Sequence, residues 1–131
     1  IARLSAEERA RGVVAASAGN HAQGVALAAE RLGIDATIFM PEGAALPKVQ
    51  ATLGYGAEVI LSGLDVSEAL EAAKEHARAT NAVFIHPYDH ADVVAGQATV
   101  GLEILEQFRD VDTILVPMGG GGLAAGVCLL K

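Results

Sequence analysis

The sequence has no tryptophan and only one cysteine, and aromatic residues make up 4% of its 131 residues. A single cysteine excludes an intrachain disulfide and favours a reducing, cytoplasmic setting. Basic residues are also few, with 9 Lys and Arg against 16 Asp and Glu. The net charge of -7 argues against nucleic acid or an anionic membrane surface as a partner. No apolar run reaches the length of a membrane span.

Small aliphatic residues supply most of the apolar content, which is 52% of the chain. This fraction is enough to build a domain with a substantial core. Because bulky aromatic side chains are scarce, the core must be made from Ala, Val, Leu and Ile. The composition therefore predicts Ala-rich helices packed closely on a Val/Ile sheet.

Short Val/Ile-rich runs alternate with longer Ala/Leu/Glu-rich runs along the chain. The predicted strands cover residues 13–16, 36–40, 58–61, 83–85 and 113–116. The predicted helices cover residues 20–32, 47–53, 65–80 and 93–108, and a further helix starts at Leu123. The strands lack polar alternation, which is typical of burial on both faces. This order predicts an α/β fold, an open, mostly parallel twisted sheet with helices on both faces in three αβα layers.

Two loops of unusual composition follow predicted strands. Residues 17–24 (SAGNHAQG) follow the first strand, and residues 118–123 (MGGGGL) follow the last. Ligands of open parallel sheets bind at the carboxyl ends of the strands. We therefore expect the two loops to be two ends of one small-molecule site.

The glycine cluster at 119–122 lets the backbone come very close to a ligand. Successive free N–H groups beside a helix start favour an anion, and phosphate is the usual occupant. A flexible turn is the simpler interpretation. Gly119, Gly121 and Ala124 also fit the weak G-x-G-x-x-A dinucleotide pattern, which stays open as an alternative.

The first loop carries more polar side chains than a connector needs. Ser17 can cap the following helix, and Gly19 can adopt a conformation that other residues avoid. That interpretation leaves Asn20, His21 and Gln23 without a role. A helix start can receive a carboxylate, and the Asn20 amide can bond a substituent of a planar ring.

Four segments, SAGNHAQGVALAA, GAEVIL, HPYDHADVVAGQATVGLEIL and VPMGGGGLAAG, resemble threonine dehydratases. These are fold-type II pyridoxal-phosphate enzymes, related to the tryptophan synthase β chain. The resemblance covers nearly the whole chain. It implies pyridoxal 5'-phosphate as cofactor and an amino-acid substrate. The implied reaction is dehydration and deamination of L-threonine or L-serine to a 2-oxo acid and ammonia.

The resemblance also assigns roles to individual residues. Asn20 would hydrogen-bond the ring hydroxyl of the cofactor. The cofactor phosphate would be wrapped by Gly119, Gly120, Gly121, Gly122 and Leu123. The substrate carboxylate would meet the loop of Ser17, Ala18, Gly19 and His21. Serine racemases typically carry a serine, the second base, where this chain has Ala18, which argues against racemisation. His21 stands where cysteine-synthase-like relatives usually carry threonine.

The family's Schiff-base lysine motif does not occur in the sequence. Lys48 and Lys74 are interpreted as solvated surface residues, and the resemblance places the missing lysine upstream of Ile1. No catalytic residue is therefore predicted in this chain, which is interpreted as a fragment that is inactive alone. Residues 12–89 are predicted to form a small open-sheet domain. Residues 1–11 and 90–131 are predicted to be pieces of a larger cofactor-binding domain, and the family habit suggests a homo-oligomer.

Other functions stay open beside the dehydratase. They are a non-catalytic module that binds phosphate or an amino acid, another fold-type II enzyme such as serine racemase, and a dinucleotide-binding domain. A biosynthetic enzyme of the isoleucine route and a catabolic one are not separated. The HPYDHAD segment is predicted to be a polar hinge with an aspartate capping the next helix, with no metal site. Cys128 is predicted to be a small core residue.

Overall fold

The computed structural model describes residues 1–130, which contain four strands and six helices. The strands are β1 (Val13–Ala16), β2 (Ala36–Met40), β3 (Glu58–Leu61) and β4 (Val83–Phe84). The helices are α1 (Ala6–Ala10), α2 (Asn20–Leu32), α3 (Leu46–Gly54), α4 (Val66–Thr80), α5 (Ala91–Gln107) and α6 (Gly122–Cys128). The four strands and the helices α2 to α6 each lie within two residues of a predicted element.

The four strands form one parallel sheet in the order β3-β2-β1-β4. β1 is central, and Val13 pairs with Ala36 on one side and Val83 on the other. All four residues of β1 are buried, as expected for a strand covered on both faces. The prediction of an open parallel α/β sheet is confirmed.

Each face of the sheet is covered by helices rich in alanine. On one face, α2 contributes Ala22, Val25, Ala26 and Ala29, which pack on Val13, Ala15, Ile38 and Met40 of the strands. On the other face, α4 contributes Ala69, Ala73 and Ala77, which pack on Val14, Ala16 and Phe39. Because the alanines of α4 recur every four residues, they form one stripe that approaches the sheet closely.

The predicted strand at 113–116 is not formed. Leu115 is 91% exposed, and no strand pairs with this segment in the described part of the chain. The short apolar run there resembles a buried strand, but extended backbone becomes a strand only when a neighbour accepts and donates its hydrogen bonds.

The chain divides into two compact units, the first comprising Ile1–Ile85 and the second beginning at His86. The first contains the sheet with α1 to α4, and the second contains α5 and α6. The predicted boundaries, a small domain at 12–89 with 1–11 and 90–131 in a larger domain, stay a prediction.

Glycines allow α5 and α6 to pack at very short range. A β-carbon added to Gly126 would lie 2.6 Å from the backbone nitrogen of Ala98. One added to Gly101 would lie 3.3 Å from the α-carbon of Val127. Both helices therefore bring backbone against backbone, which only small residues permit.

Two local predictions in the second unit are wrong. His90, and no aspartate, is the N-cap of α5, and its Nδ1 accepts from the Asp92 backbone N–H at 3.2 Å. Cys128 is exposed. It follows Val127 by one residue, and since one residue turns a helix by about 100°, it leaves the face that packs on α5.

A reciprocal capping box begins α1. The Ser5 hydroxyl accepts from the Glu8 N–H at 3.2 Å, and the Glu8 carboxylate accepts from the Ser5 N–H at 2.7 Å. The backbone and side chain of Ser5 both lower the pKa of Glu8, the backbone bond being the larger cause. This stabilisation is present at pH values above the unfolded pKa and is lost as the pH falls through the lowered folded pKa.

We expect Ser5→Ala to raise the pKa of Glu8 towards its ordinary value, because the hydroxyl contribution is lost while the backbone bond remains. NMR titration of the Glu8 side-chain carboxyl measures this. Ser5→Thr is the control, because it keeps a capping hydroxyl and the low pKa. An unchanged Glu8 titration in Ser5→Ala would show that the hydroxyl has no effect on this carboxyl.

Candidate functional site

The first loop lies at the carboxyl end of β1, the central strand. The backbone N–H of Ser17 donates to the carbonyl of Phe39 at 3.0 Å, which continues the pairing with β2 past the strand end. The Ser17 hydroxyl accepts from the N–H of Gly19 at 3.1 Å and closes a tight turn. Gly19 is the N-cap of α2, and no side chain caps that helix. Ser17 therefore shapes the turn rather than capping α2, and the N–H groups of the first helical turn remain available to a ligand.

Asn20 is the first residue of α2 and is exposed. Its Oδ1 accepts a hydrogen bond from the Nζ of Lys48 at 3.2 Å. Lys48 lies in the first turn of α3 and is half-buried. Lys48, interpreted from the sequence as a solvated surface residue, thus also contacts a residue predicted to hold the cofactor.

His21 ties the loop to the edge of the sheet. Its Nε2 donates to the carbonyl of Ile85 at 3.1 Å, and Ile85 donates its own N–H to Val14 at 2.8 Å. Because a carbonyl only accepts, Nε2 carries the hydrogen in this arrangement. The ring is half-buried and fixes the start of α2 against the chain that leaves β4.

The glycine loop lies in the second unit. Gly121 has φ +91, in the left-handed region that favours glycine, and it is the N-cap of α6. No side chain caps α6, and the N–H groups of Gly119, Gly120 and Gly121 make no backbone hydrogen bond within residues 1–130. Several backbone donors therefore lie together with no backbone acceptor among the described residues, an arrangement that can bind an anion such as phosphate.

The two sides of this loop differ. A β-carbon on Gly122 would lie 3.0 Å from the β-carbon of Tyr88, and one on Gly120 would collide with the Tyr88 ring. β-Carbons on Gly119 and Gly121 would instead enter open space. The loop thus packs on Tyr88 with one side and presents glycine backbone on the other. This open side, which carries no side chains, has room for an anion such as the predicted phosphate.

The turn that carries Tyr88 is held by its own hydrogen bonds. The Nδ1 of His86 accepts from the N–H of Asp89 at 2.8 Å and from that of Tyr88 at 3.3 Å. The rings of His86 and Tyr88 meet edge to face, with centroids 4.7 Å apart. This turn gives the glycine loop a fixed surface to pack on.

The histidines and aspartates of HPYDHAD make turn and cap bonds. Across residues 1–130, no group of three His, Cys, Asp or Glu side chains is arranged to hold a metal. None of the helices in that range has the length and apolar character needed to cross a membrane.

The structure brings the predicted residues together in two sets. Ser17, Ala18, Gly19, Asn20 and His21 lie at the end of β1, and Gly119, Gly120, Gly121, Gly122 and Leu123 lie at the start of α6. That both sets form one site stays a prediction.

Sequence reasoning missed Lys48 and Tyr88. Lys48 had a signal. The short connection between β2 and α3 starts the latter helix near the carboxyl edge of the sheet, beside the start of α2. For Tyr88 the sequence contains no comparable indication, because its role as a packing surface depends on which glycines it contacts in the fold.

Comparisons with known proteins agree with the sequence resemblance. A family model described as pyridoxal-phosphate dependent enzyme matches residues 1–130. L-threonine ammonia-lyase from Thermotoga maritima is 59% identical over 127 residues, which are 97% of this chain and 32% of that protein. The processed form of threonine deaminase isoform 2 from Solanum lycopersicum superposes with a TM-score of 0.89 at 44% identity, covering 96% of this chain and 37% of that one.

Maize serine racemase superposes with a TM-score of 0.90, also at 44% identity, and the match covers 96% of this chain and 38% of the racemase. The chain therefore spans about a third of the length of the relatives it matches.

Proposed function

The chain belongs to the pyridoxal-phosphate dependent enzyme family, and on this premise we propose that it is the cofactor-holding segment of a threonine ammonia-lyase. The proposed reaction converts L-threonine, or L-serine, to a 2-oxo acid and ammonia. The observation that carries this proposal is the similarity to the Thermotoga maritima L-threonine ammonia-lyase, which extends over nearly the whole chain and includes both loops.

The glycine loop is proposed to hold the cofactor phosphate. Its unbonded backbone N–H groups donate, and the absence of side chains at Gly119 and Gly121 leaves room for the phosphate oxygens. Gly120, Gly122 and Leu123 complete the loop. When bound, pyridoxal phosphate supplies an electron sink for loss of the substrate's α-proton and then its β-hydroxyl.

The loop after β1 is proposed to bind the ring and the substrate carboxylate. Asn20 bonds the ring hydroxyl of the cofactor. Ser17 and Gly19 form the turn that precedes α2. The uncapped first turn of this helix offers backbone donors and the positive end of the helix dipole to the carboxylate. The bond from His21 to Ile85 keeps these donors in place.

The Schiff-base lysine is proposed to come from outside the described residues. Lys48 donates to Asn20, and Lys74 pairs with Glu71 at 2.7 Å on the surface of α4. Lys131 lies outside the described residues. A Schiff-base lysine must reach the reacting carbon, and the ammonium group of Lys74 is held by Glu71 on the surface of α4.

Racemisation is the second candidate, because the chain superposes closely on maize serine racemase. Ala18 argues against it. Moving the α-proton between the two faces of the substrate takes two bases, and a methyl group holds no exchangeable proton. We therefore propose that elimination exceeds racemisation.

Three further features belong to the same proposal. A cytoplasmic location is supported by the single cysteine. A homo-oligomer is supported by the resemblance to threonine dehydratases, which usually form oligomers. A place in isoleucine biosynthesis follows only if the enzyme is of the biosynthetic type.

The test uses the full-length gene product with pyridoxal phosphate. We expect a 2-oxo acid and ammonia in equal amounts from L-threonine, with little D-serine from L-serine. Asn20→Ala is expected to weaken cofactor binding roughly tenfold, since the hydrogen bond to the ring oxygen of the cofactor is lost. Gln107→Ala, an exposed amide at the end of α5, is the matched control and is expected to change nothing. Racemisation without ammonia release would contradict the proposal.

A further inference from the structure

Lys48 occupies a place where a cation is electrostatically disfavoured. It lies in the first turn of α3, and its ammonium group reaches the first residue of α2. Both helix starts carry partial positive charge, and neither first turn contains an acidic residue. Among residues 1–130, no carboxylate forms an ion pair with Lys48. Its hydrogen bond to Asn20 is therefore the contact that can explain its position.

The backbone of Lys48 is held firmly. Its N–H donates to the carbonyl of Ala45 at 2.8 Å, and its own carbonyl accepts from the hydroxyl of Thr52 at 2.9 Å. Thr52 is fully buried. The half-buried side chain of Lys48 therefore starts from a fixed point of the backbone.

An ammonium group only donates hydrogen bonds, so it fixes which end of a neighbouring amide it meets. At 3.2 Å it contacts the carbonyl oxygen of the Asn20 side chain. The amide nitrogen of Asn20 is thereby turned away from Lys48. An exposed asparagine without such a neighbour presents either end to a ligand.

We propose that Lys48 is a positioning residue that fixes the amide orientation of Asn20, so that Asn20 offers its NH₂ group to the ring oxygen of the cofactor. This inference rests on the proposed function. It adds that the ring oxygen is held as an acceptor, with a positive charge close by that favours its anionic form.

The experiment measures pyridoxal phosphate affinity and the pH dependence of the bound cofactor's absorption in the full-length protein. Lys48→Met removes the charge and keeps a long side chain. We expect it to weaken affinity roughly fivefold, a modest loss because the pair is exposed. We also expect the midpoint of the pH-dependent absorption change of the bound cofactor to move to higher pH. Lys48→Arg is expected to restore most of both properties.

Lys74→Met is the matched control. Lys74 is also half-buried and holds one side-chain partner, Glu71, on α4. We expect the Lys74→Met variant to match the unmodified protein in its affinity for pyridoxal phosphate and in its absorption spectrum. Equal thermal midpoints for the two methionine variants would show that the fold is not the cause of the difference.

A double-mutant cycle separates positioning from a direct role. If Lys48 acts through Asn20, Lys48→Met has no further effect on affinity in the Asn20→Ala background. An equal effect in both backgrounds overturns the inference, and so does an unchanged affinity and spectrum in Lys48→Met alone. If Asn20→Ala itself leaves affinity unchanged, the placement of Asn20 in the proposed function fails, and the inference fails with it.

Discussion

Gly121→Ala is expected to reduce the affinity of the full-length protein for pyridoxal phosphate about 100-fold, the equivalent of losing one or two charge-assisted hydrogen bonds. Gly121 has φ +91, so alanine there pushes the backbone away from its present course. The added β-carbon would also enter the open space proposed for the phosphate. Equilibrium titration with the cofactor measures the change.

Gly56→Ala separates the loss of the proposed phosphate site from general strain. Gly56 has φ +77, and a β-carbon there would also meet open space. Both substitutions place alanine in the left-handed region, which costs about 1–2 kcal/mol. We expect Gly56→Ala to lower stability by a similar amount and to leave cofactor affinity unchanged. Equal affinity losses in both variants would contradict a phosphate site at Gly121.

Gly126→Ala is expected to destabilise the second unit by about 3 kcal/mol, the upper part of the range for overpacking a close contact. The new methyl would lie 2.6 Å from the Ala98 backbone nitrogen and 2.8 Å from the Gln97 carbonyl carbon. Backbone atoms of a helix do not move aside alone, so α5 and α6 must separate. Chemical denaturation, with hydrogen exchange at the amides of both helices, measures the effect.

Gly96→Ala on α5 is the matched control, and its effect on stability should have the opposite sign. Gly96 is exposed, and a β-carbon there meets nothing within 4 Å. Alanine in a helix interior is favoured over glycine by about 0.5–1 kcal/mol, so this variant should be slightly more stable. Destabilisation of similar size in both variants would show that close packing at Gly126 is not the cause.

The sheet unit was predictable because its signals are local. The fully apolar run of β1, the left-handed Gly33 that ends α2 and the aspartate that caps α4 each act within a few residues. The segment at 113–116 has the same kind of pattern but no neighbouring strand within residues 1–130. A strand depends on a partner that is often far along the sequence, so the local pattern alone overpredicts strands.

The composition of the sequence was enough to predict the two loops of the candidate site, but not the side-chain contacts around them. Glycine at 119–122 and the polar residues at 17–24 indicated two ligand loops, and both lie at helix starts. The bond from Lys48 to Asn20 joins residues 28 apart, and the packing of Tyr88 on the glycines depends on a turn fixed by His86. Such contacts arise from how elements meet, which periodicity does not report.

The most direct test of a single cofactor site formed by both loops is a crystal structure of the full-length protein with pyridoxal phosphate bound. We expect phosphate oxygens within hydrogen-bonding distance of backbone N–H groups at 119–122, and the ring oxygen of the same cofactor molecule beside the Asn20 amide. We also expect Lys48 on the far side of that amide. A cofactor that contacts only one of the two loops, or neither, would contradict the claim that they form one site.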